Sequence, residues 1–112
     1  MGKYQLLKHQ PSQYYWNLRA DNGERILQSE MYNSKGAAIG GISSCRENSP
    51  LDERYIRFKS VDEQHTFSLK AKNGERIGRG ETYRTEQGRE VGIASVKANG
   101  PNSPVDDETG ER

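Results

Sequence analysis

The pentapeptide Asn22-Gly23-Glu24-Arg25-Ile26 returns letter for letter as Asn73-Gly74-Glu75-Arg76-Ile77. Sliding the chain on itself by that offset of 51 residues aligns Tyr4 to Pro50 with Tyr55 to Pro101 without a gap, and about 17 of the 47 aligned pairs are identical. One structural unit is therefore written twice. The identities extend beyond the pentapeptide to Tyr4 and Tyr55, Leu18 and Leu69, Glu30 and Glu81, Tyr32 and Tyr83, Gly41 and Gly92, Ser44 and Ser95, and Asn48 and Asn99. A residue present in both copies is expected to serve the architecture; one present in a single copy is free to do something else.

Each copy, near fifty residues, is too small to bury a secure core alone. The economical arrangement is two copies around one core. Ile, Leu, Val and Phe make up roughly 16% of the chain, a level at which disorder competes with folding. A formal net charge of only +1, with six Tyr and one Trp, opposes disorder and predicts a folded domain with a lean core.

Apolar periodicity divides each copy into strands and a helix. In Tyr14-Tyr15-Trp16-Asn17-Leu18-Arg19-Ala20 the alternation places Tyr14, Trp16, Leu18 and Ala20 on one face and Tyr15, Asn17 and Arg19 on the other, and His65 to Ala71 repeats that phase. Asn-Gly is the strongest short hairpin signal, so Arg25–Ser29 and Arg76–Gly80 should fold back on the strands before them. From Ser34 to Asn48 the period lengthens, with Ala38, Ile42 and Cys45 at helical spacing and Ile93 and Val96 in the second copy. Ser34 and Thr85 are expected N-caps, Asn48 and Asn99 expected C-terminal caps, and Pro50 and Pro101 stop the helices. Glycine inside a helix costs about 1 kcal/mol relative to Ala, so Gly41 and Gly92, kept in both copies, imply close approach of the helix backbone to the sheet.

The expected organisation is one domain over residues 1–106, with repeat 1 over 3–51 and repeat 2 over 54–106, and a flexible acidic tail over 107–112. Ser103 to Asp106 can add a last short strand. The tail region holds Asp106, Asp107, Glu108 and Glu111, leaving residues 1–104 with a surplus of four positive charges that falls wholly in the second repeat. That bias is too mild for a nucleic-acid signature.

The residues Leu-Lys/Arg-Ala before Asn-Gly-Glu-Arg-Ile, then Ser/Gly-Glu-x-Tyr, and finally Gly-Ile-Ala-Ser-Val-Lys-Ala-Asn before Pro101 resemble the YegP-like family of small bacterial proteins. The first copy departs from the pattern at Gly36, at Ser43-Ser44-Cys45 and at Glu47. The resemblance implies an α+β fold in which two tandem β-β-β-α(-β) repeats share a single mainly antiparallel sheet with both helices on one face, the strand after each helix completing the other half. It also implies that single-repeat relatives reach the same shape as dimers. It implies no reaction, ligand or cofactor.

The residues themselves point away from catalysis. No phosphate-binding loop, no His-Glu-x-x-His and no paired cysteines occur. His9 aligns with Ser60 and His65 with Tyr14, so neither histidine belongs to the repeated design, and Cys45 aligns with Val96 on the buried helix face, where cysteine packs as a small hydrophobe. Glu30 and Glu81 precede the helices, where a carboxylate favours the positive end of the dipole. No metal site and no cofactor are expected.

The sheet face opposite the helices remains, and Tyr15, Arg19, Tyr55, Arg57, Lys59 and Lys70 are expected to line it. Aromatic and cationic residues on an open sheet can hold an acidic protein or a small anionic ligand, the expected partners of a non-enzymatic binding module. They can also stack bases and hold phosphates, which makes a weak nucleic-acid binder the alternative and an enzyme the distant third reading. One cysteine, no secretory apolar run and no membrane-spanning stretch lead to the expectation of a cytoplasmic monomer.

Overall fold

A computed structural model describes residues 2–111. The element order is β1(Lys3–Gln10), β2(Gln13–Arg19), β3(Arg25–Ser29), α1(Lys35–Asn48), β4(Tyr55–Lys59), β5(His65–Lys70), β6(Arg76–Arg79), α2(Glu86–Asn99) and β7(Val105–Asp107), with a 3-10 turn at Asp52–Arg54 before β4. The seven strands form one sheet in the order β4-β5-β6-β3-β2-β1-β7, and only the β1–β7 pairing is parallel. This is the α+β arrangement of two β-β-β-α units in one sheet.

The seam between the units is β3 against β6. There Gln28 pairs with Arg79, its own counterpart 51 residues on, so an approximate two-fold axis passes between these two residues. Contacts across the axis come in matched pairs. Tyr4 Oη donates to Gly100 O and Tyr55 Oη to Ser49 O, both at 2.6 Å. Arg46 donates to Ser103 O while Lys97 donates to Asp52 Oδ1, each at 2.8 Å.

One face of the sheet and both helices enclose the core, which includes Tyr4, Leu6, Trp16, Leu18, Leu27, Phe67 and Leu69 from the strands and Ala38, Ile42, Cys45, Ile93 and Val96 from the helices. Burial pushes the Cys45 thiol up to about 12, the behaviour of a packing residue. Gly41 and Gly92 allow close approach, but to a side chain rather than to the sheet backbone. A Cβ at Gly41 would lie 2.1 Å from Tyr32 Oη, and one at Gly92 2.3 Å from Tyr83 Oη. Each Tyr thus lies against the helix that follows it, which is why both members of the pair recur.

The helices begin as expected: Ser34 Oγ accepts from Ala37 N and Thr85 Oγ1 from Gly88 N. They end differently. Asn48 and Asn99 stay helical and donate from Nδ2 to Ser44 O and Ser95 O one turn back, and the following Ser49 and Gly100 are right-handed.

The hairpin turns also differ in detail from a two-residue Asn-Gly turn. Gly23 N donates to Ala20 O, Ala20 N to Glu24 O, and only the glycine adopts positive φ, +85° at Gly23 and +89° at Gly74. Asn22 and Asn73 contribute through their side chains, each Oδ1 accepting the amide two residues on. No atom crowds either glycine, so Gly23→Val and Gly74→Val should each lose about 1–3 kcal/mol from backbone strain alone. Urea midpoints should fall equally for the two variants; an unmoved midpoint for either would refute the turn assignment.

The C-terminal segment corrects the expectation of a flexible acidic tail over residues 107–112. β7 starts at Val105 and includes Asp107, and the residues after it continue along β1: Glu108 N donates to Leu6 O. Lys3 pairs with Asp106 at 3.0 Å, Lys35 with Asp107 at 2.5 Å and Lys8 with Glu111 at 2.5 Å. Lys35 and then Thr109 hold the Asp107 carboxyl down at about 2, and Lys8 followed by Tyr14 lowers that of Glu111. Glu108 shares Lys3 with Asp106 at 3.7 Å, so three lysines on β1 and α1 stand against the four acids. Arg112 lies outside the described residues.

Candidate functional site: the open face of the sheet

Residues paired across neighbouring strands share a face, so the registers identify what lines the side away from the helices. One continuous row, Asp106, Gln5, Asn17, Gln28, Arg79, Ser68 and Ile56, crosses all seven strands. Beside it lie Arg19 opposite Arg25 and Lys70 opposite Arg76, and on its other side Tyr15 opposite Leu7 and Thr66 opposite Phe58.

The floor of this face is small and polar. Asn17, Ser68 and Thr66 are 4%, 3% and 2% exposed, shaded by longer neighbours rather than by another layer of chain. Thr66 Oγ1 donates to Glu81 O at 3.0 Å, and Asn17 Nδ2 to Gln5 Oε1 at 3.2 Å. Asn17 Oδ1 is buried without a hydrogen-bond donor among the described residues.

Most of the cations here are already engaged. Arg25 grips Glu81 through two hydrogen bonds, Nε to Oε2 at 2.8 Å and Nη2 to Oε1 at 3.2 Å, and Arg76 stands 3.9 Å from Glu30. These two pairs are related by the pseudo-two-fold axis, and each joins one repeat to the other. They account for the recurrence of Arg and Glu in both copies better than a helix dipole does. Arg19 donates to Gln5 Oε1 and Gly23 O. The side chains of Lys70 and Arg79 form no hydrogen bond or ion pair among the described residues; Lys70 stands where the first copy has another cation, Arg19, and Arg79 where it has the neutral Gln28.

Of the residues expected on this face, Tyr15, Arg19 and Lys70 are there; Tyr55, Arg57 and Lys59 are not. Tyr55 pairs with Leu69, Arg57 with Phe67 and Lys59 with His65, which puts all three on the helix side. Tyr55 is 5% exposed with its ring 5.8 Å from that of Phe67, and Arg57 donates to Glu90 on α2 and to Asp52. Ile56 and Phe58 point to the open side instead. Apolar Ile56 and Phe58 suggest the buried phase, but the sheet's edge leaves them half-covered. Tyr55, a polar-tipped residue, is buried because Ser49 O accepts its hydroxyl. Arg79 was not among the expected residues; its signal was a cation standing where the first copy has Gln28.

Two recesses lie elsewhere. One, of about 230 Å³, is lined by Tyr32, Gly41 and Ser44 of the first repeat and Glu75, Arg76 and Ile77 of the second. Every one of those six has an identical counterpart in the other copy, which marks them as parts of the inter-repeat joint. The second, of about 300 Å³, is lined by Asp21, Ala98, Asn99, Asn102 and Ser103. Among the described residues no group of three His, Cys, Asp or Glu side chains gathers as metal ligands, and no helix is long and apolar enough to cross a membrane.

These features define a class: a tandem-repeat α+β protein with helices on one side of a mixed sheet and an uncovered, cation-bearing face on the other. The chain belongs to the family described as "Domain of unknown function (DUF1508)", whose model matches it twice, at residues 11–55 and 60–107. It is 48% identical to the UPF0339 protein YegP of Escherichia coli O157:H7 over 96% of this chain and 98% of that one, and 50% identical to a UPF0339 protein of Bordetella pertussis over 97% and 98%. The solution NMR structure of E. coli yegP, a protein of unknown function, superposes with a TM-score of 0.91 at 47% identity, covering 99% of this chain and 96% of that one. A UPF0339 protein from Shewanella oneidensis gives the same TM-score at 39% identity.

Proposed function

We propose that the chain is a non-enzymatic binding module whose open sheet face takes an acidic partner, held chiefly by Lys70 and Arg79. The observation that carries this reading is that these two side chains are unengaged on a face where Lys3, Arg25 and Arg76 pair with carboxylates and Arg19 with neutral acceptors. A long cationic side chain left without a carboxylate beside several satisfied ones is available to an outside anion at little cost in stability. Tyr15 and Phe58 flank the same face and supply flat apolar area for a partner's side chains.

The small number of free charges favours carboxylates of a protein partner, or a small anion, over a phosphate backbone. A nucleic-acid track needs several cations in line, and here Lys3, Arg25 and Arg76 are already spent on Asp106, Glu81 and Glu30. A cytoplasmic monomer suits this reading: the single cysteine is buried, and the two repeats already supply each other's missing half.

The test is capture from lysate, with and without nuclease, on the immobilised chain and on a Lys70→Gln/Arg79→Gln variant. Each substitution should change stability by less than about 0.5 kcal/mol, as is usual for surface sites. Acidic proteins retained by the native chain should fall at least about tenfold on the variant. Equal recovery would contradict the proposal, and retention that vanishes on nuclease treatment and falls steeply with salt would favour the nucleic-acid reading.

A further inference from the structure

The approximate two-fold symmetry fails at the two ends of the sheet. At one end the outer edge of β1 is covered by β7, running parallel; at the other, β4, the counterpart of β1, is the last strand and its outer edge is bare. The reason is topological. The segment leaving α2 is free to lie along β1, whereas the segment leaving α1 must turn at Asp52–Arg54 and become β4 itself. The chain therefore carries two equivalent slots and one internal segment to fill them.

The filled slot shows what such a slot holds. Tyr4 N donates to Pro104 O and Glu108 N to Leu6 O, so the outward backbone groups of β1 bind an extended strand. Beyond the strand, Glu111 is clamped by Lys8 at 2.5 Å and by Tyr14 Oη at 2.7 Å, from two cross-strand partners. The counterparts of that clamp are Lys59 and His65, which are also cross-strand partners, on β4 and β5. Lys59 has only a long contact of 3.7 Å to Glu63, and His65 Nδ1 is buried with no hydrogen-bond partner among the described residues. Strand alternation gives Arg57 and Lys59 outward amides, and Tyr55 N, next in the same phase, already turns outward to Asp52 O.

We infer that the outer edge of β4 is a docking site for an extended acidic segment of a partner protein, which adds in parallel as an eighth strand and places a carboxylate between Lys59 and His65. Backbone hydrogen bonds supply the affinity of such strand addition, and the side chains flanking the edge supply its selectivity. The slots are not identical: Lys35, which holds Asp107, is replaced by Glu86. The partner segment accordingly has no acid at that position and keeps the one beyond the strand. This site is on the sheet's edge and is independent of Lys70 and Arg79.

The probe is a synthetic peptide with the sequence of residues 102–112 carrying Asp107→Ser, added to the isotope-labelled full chain and followed by amide shifts and hydrogen exchange. Saturable shifts and slowed exchange at Arg57 and Lys59 are expected, weakened at least about tenfold in Lys59→Glu and lost in Arg57→Pro, which removes an outward donor. Unchanged β1 and β7 amides in each variant show that the fold is kept. A version of the peptide with lysine in place of every acid should not bind. Shifts confined to β1, shifts confined to Lys70 and Arg79, equal binding of the lysine peptide, or no shift at millimolar peptide would each overturn the inference.

Discussion

A fragment ending at Leu51 should be unfolded as a monomer. It retains β1 to β3 and α1 but loses β6, against which β3 pairs, and α2, which packs beneath the same sheet. Trp16, Leu27 and Ile42, each at most 1% exposed in the whole chain, would be uncovered on one side. About fifty residues cannot offset their ordering entropy with half a core. Raising the concentration should restore structure as a dimer, because the seam joins equivalent residues: a second Gln28 can stand where Arg79 stands, and Ser49 O recovers a tyrosine donor from the partner's Tyr4. Circular dichroism against concentration, with sedimentation to count chains, checks this. A folded monomeric fragment would show that the repeats are separate domains.

The largest single-residue effect should come from Trp16→Ala, at about 3–5 kcal/mol. Trp16 is fully buried, with its ring 5.3 Å from that of Tyr4 in an edge-on arrangement. Its indole Nε1 is buried without an acceptor among the described residues, so the contribution comes from packing rather than from a hydrogen bond. Trp16→Phe, which copies the second repeat where Phe67 stands, should therefore cost much less than the alanine change, since it also removes that unsatisfied donor. With typical stabilities of 5–15 kcal/mol, the alanine variant should unfold at a markedly lower urea concentration. A cost equal to that of Trp16→Phe would place the ring's contribution elsewhere.

Much of the fold was legible because the sequence repeats. The offset supplied the two units, alternation supplied β2 and β5, and the change of period supplied both helices, since all three signals are local. What escaped depends on partners far apart in sequence. Lys3 and Asp106 are separated by 103 residues and Lys35 and Glu111 by 76, so a run of acids reads as a solvated tail until the fold places lysines beside it. The Glu30 and Glu81 pairings were hidden in the same way, because each carboxylate finds its arginine in the other repeat.

The candidate site was half legible. β2 and β5 have a buried middle and declare their phase, which placed Tyr15, Arg19 and Lys70. β4 is an edge strand whose Tyr55-Ile56-Arg57-Phe58-Lys59 can be read in either phase from hydrophobicity. The repeat resolves it, because Tyr55 corresponds to Tyr4 and Arg57 to Leu6, both of which are fully buried. The same comparison also marks Arg79, a charge standing where the first copy has the neutral Gln28.

The two repeats form one cooperative unit, and native-state hydrogen exchange in the Trp16→Ala chain tests this most directly. If the core is shared, the slowest amides of β5, in the repeat that was not altered, should lose the same protection as those of β2, a factor of about 10²–10⁴ for a cost of about 3–5 kcal/mol. Loss confined to residues 3–51, with β5 and α2 amides exchanging as before, would contradict it.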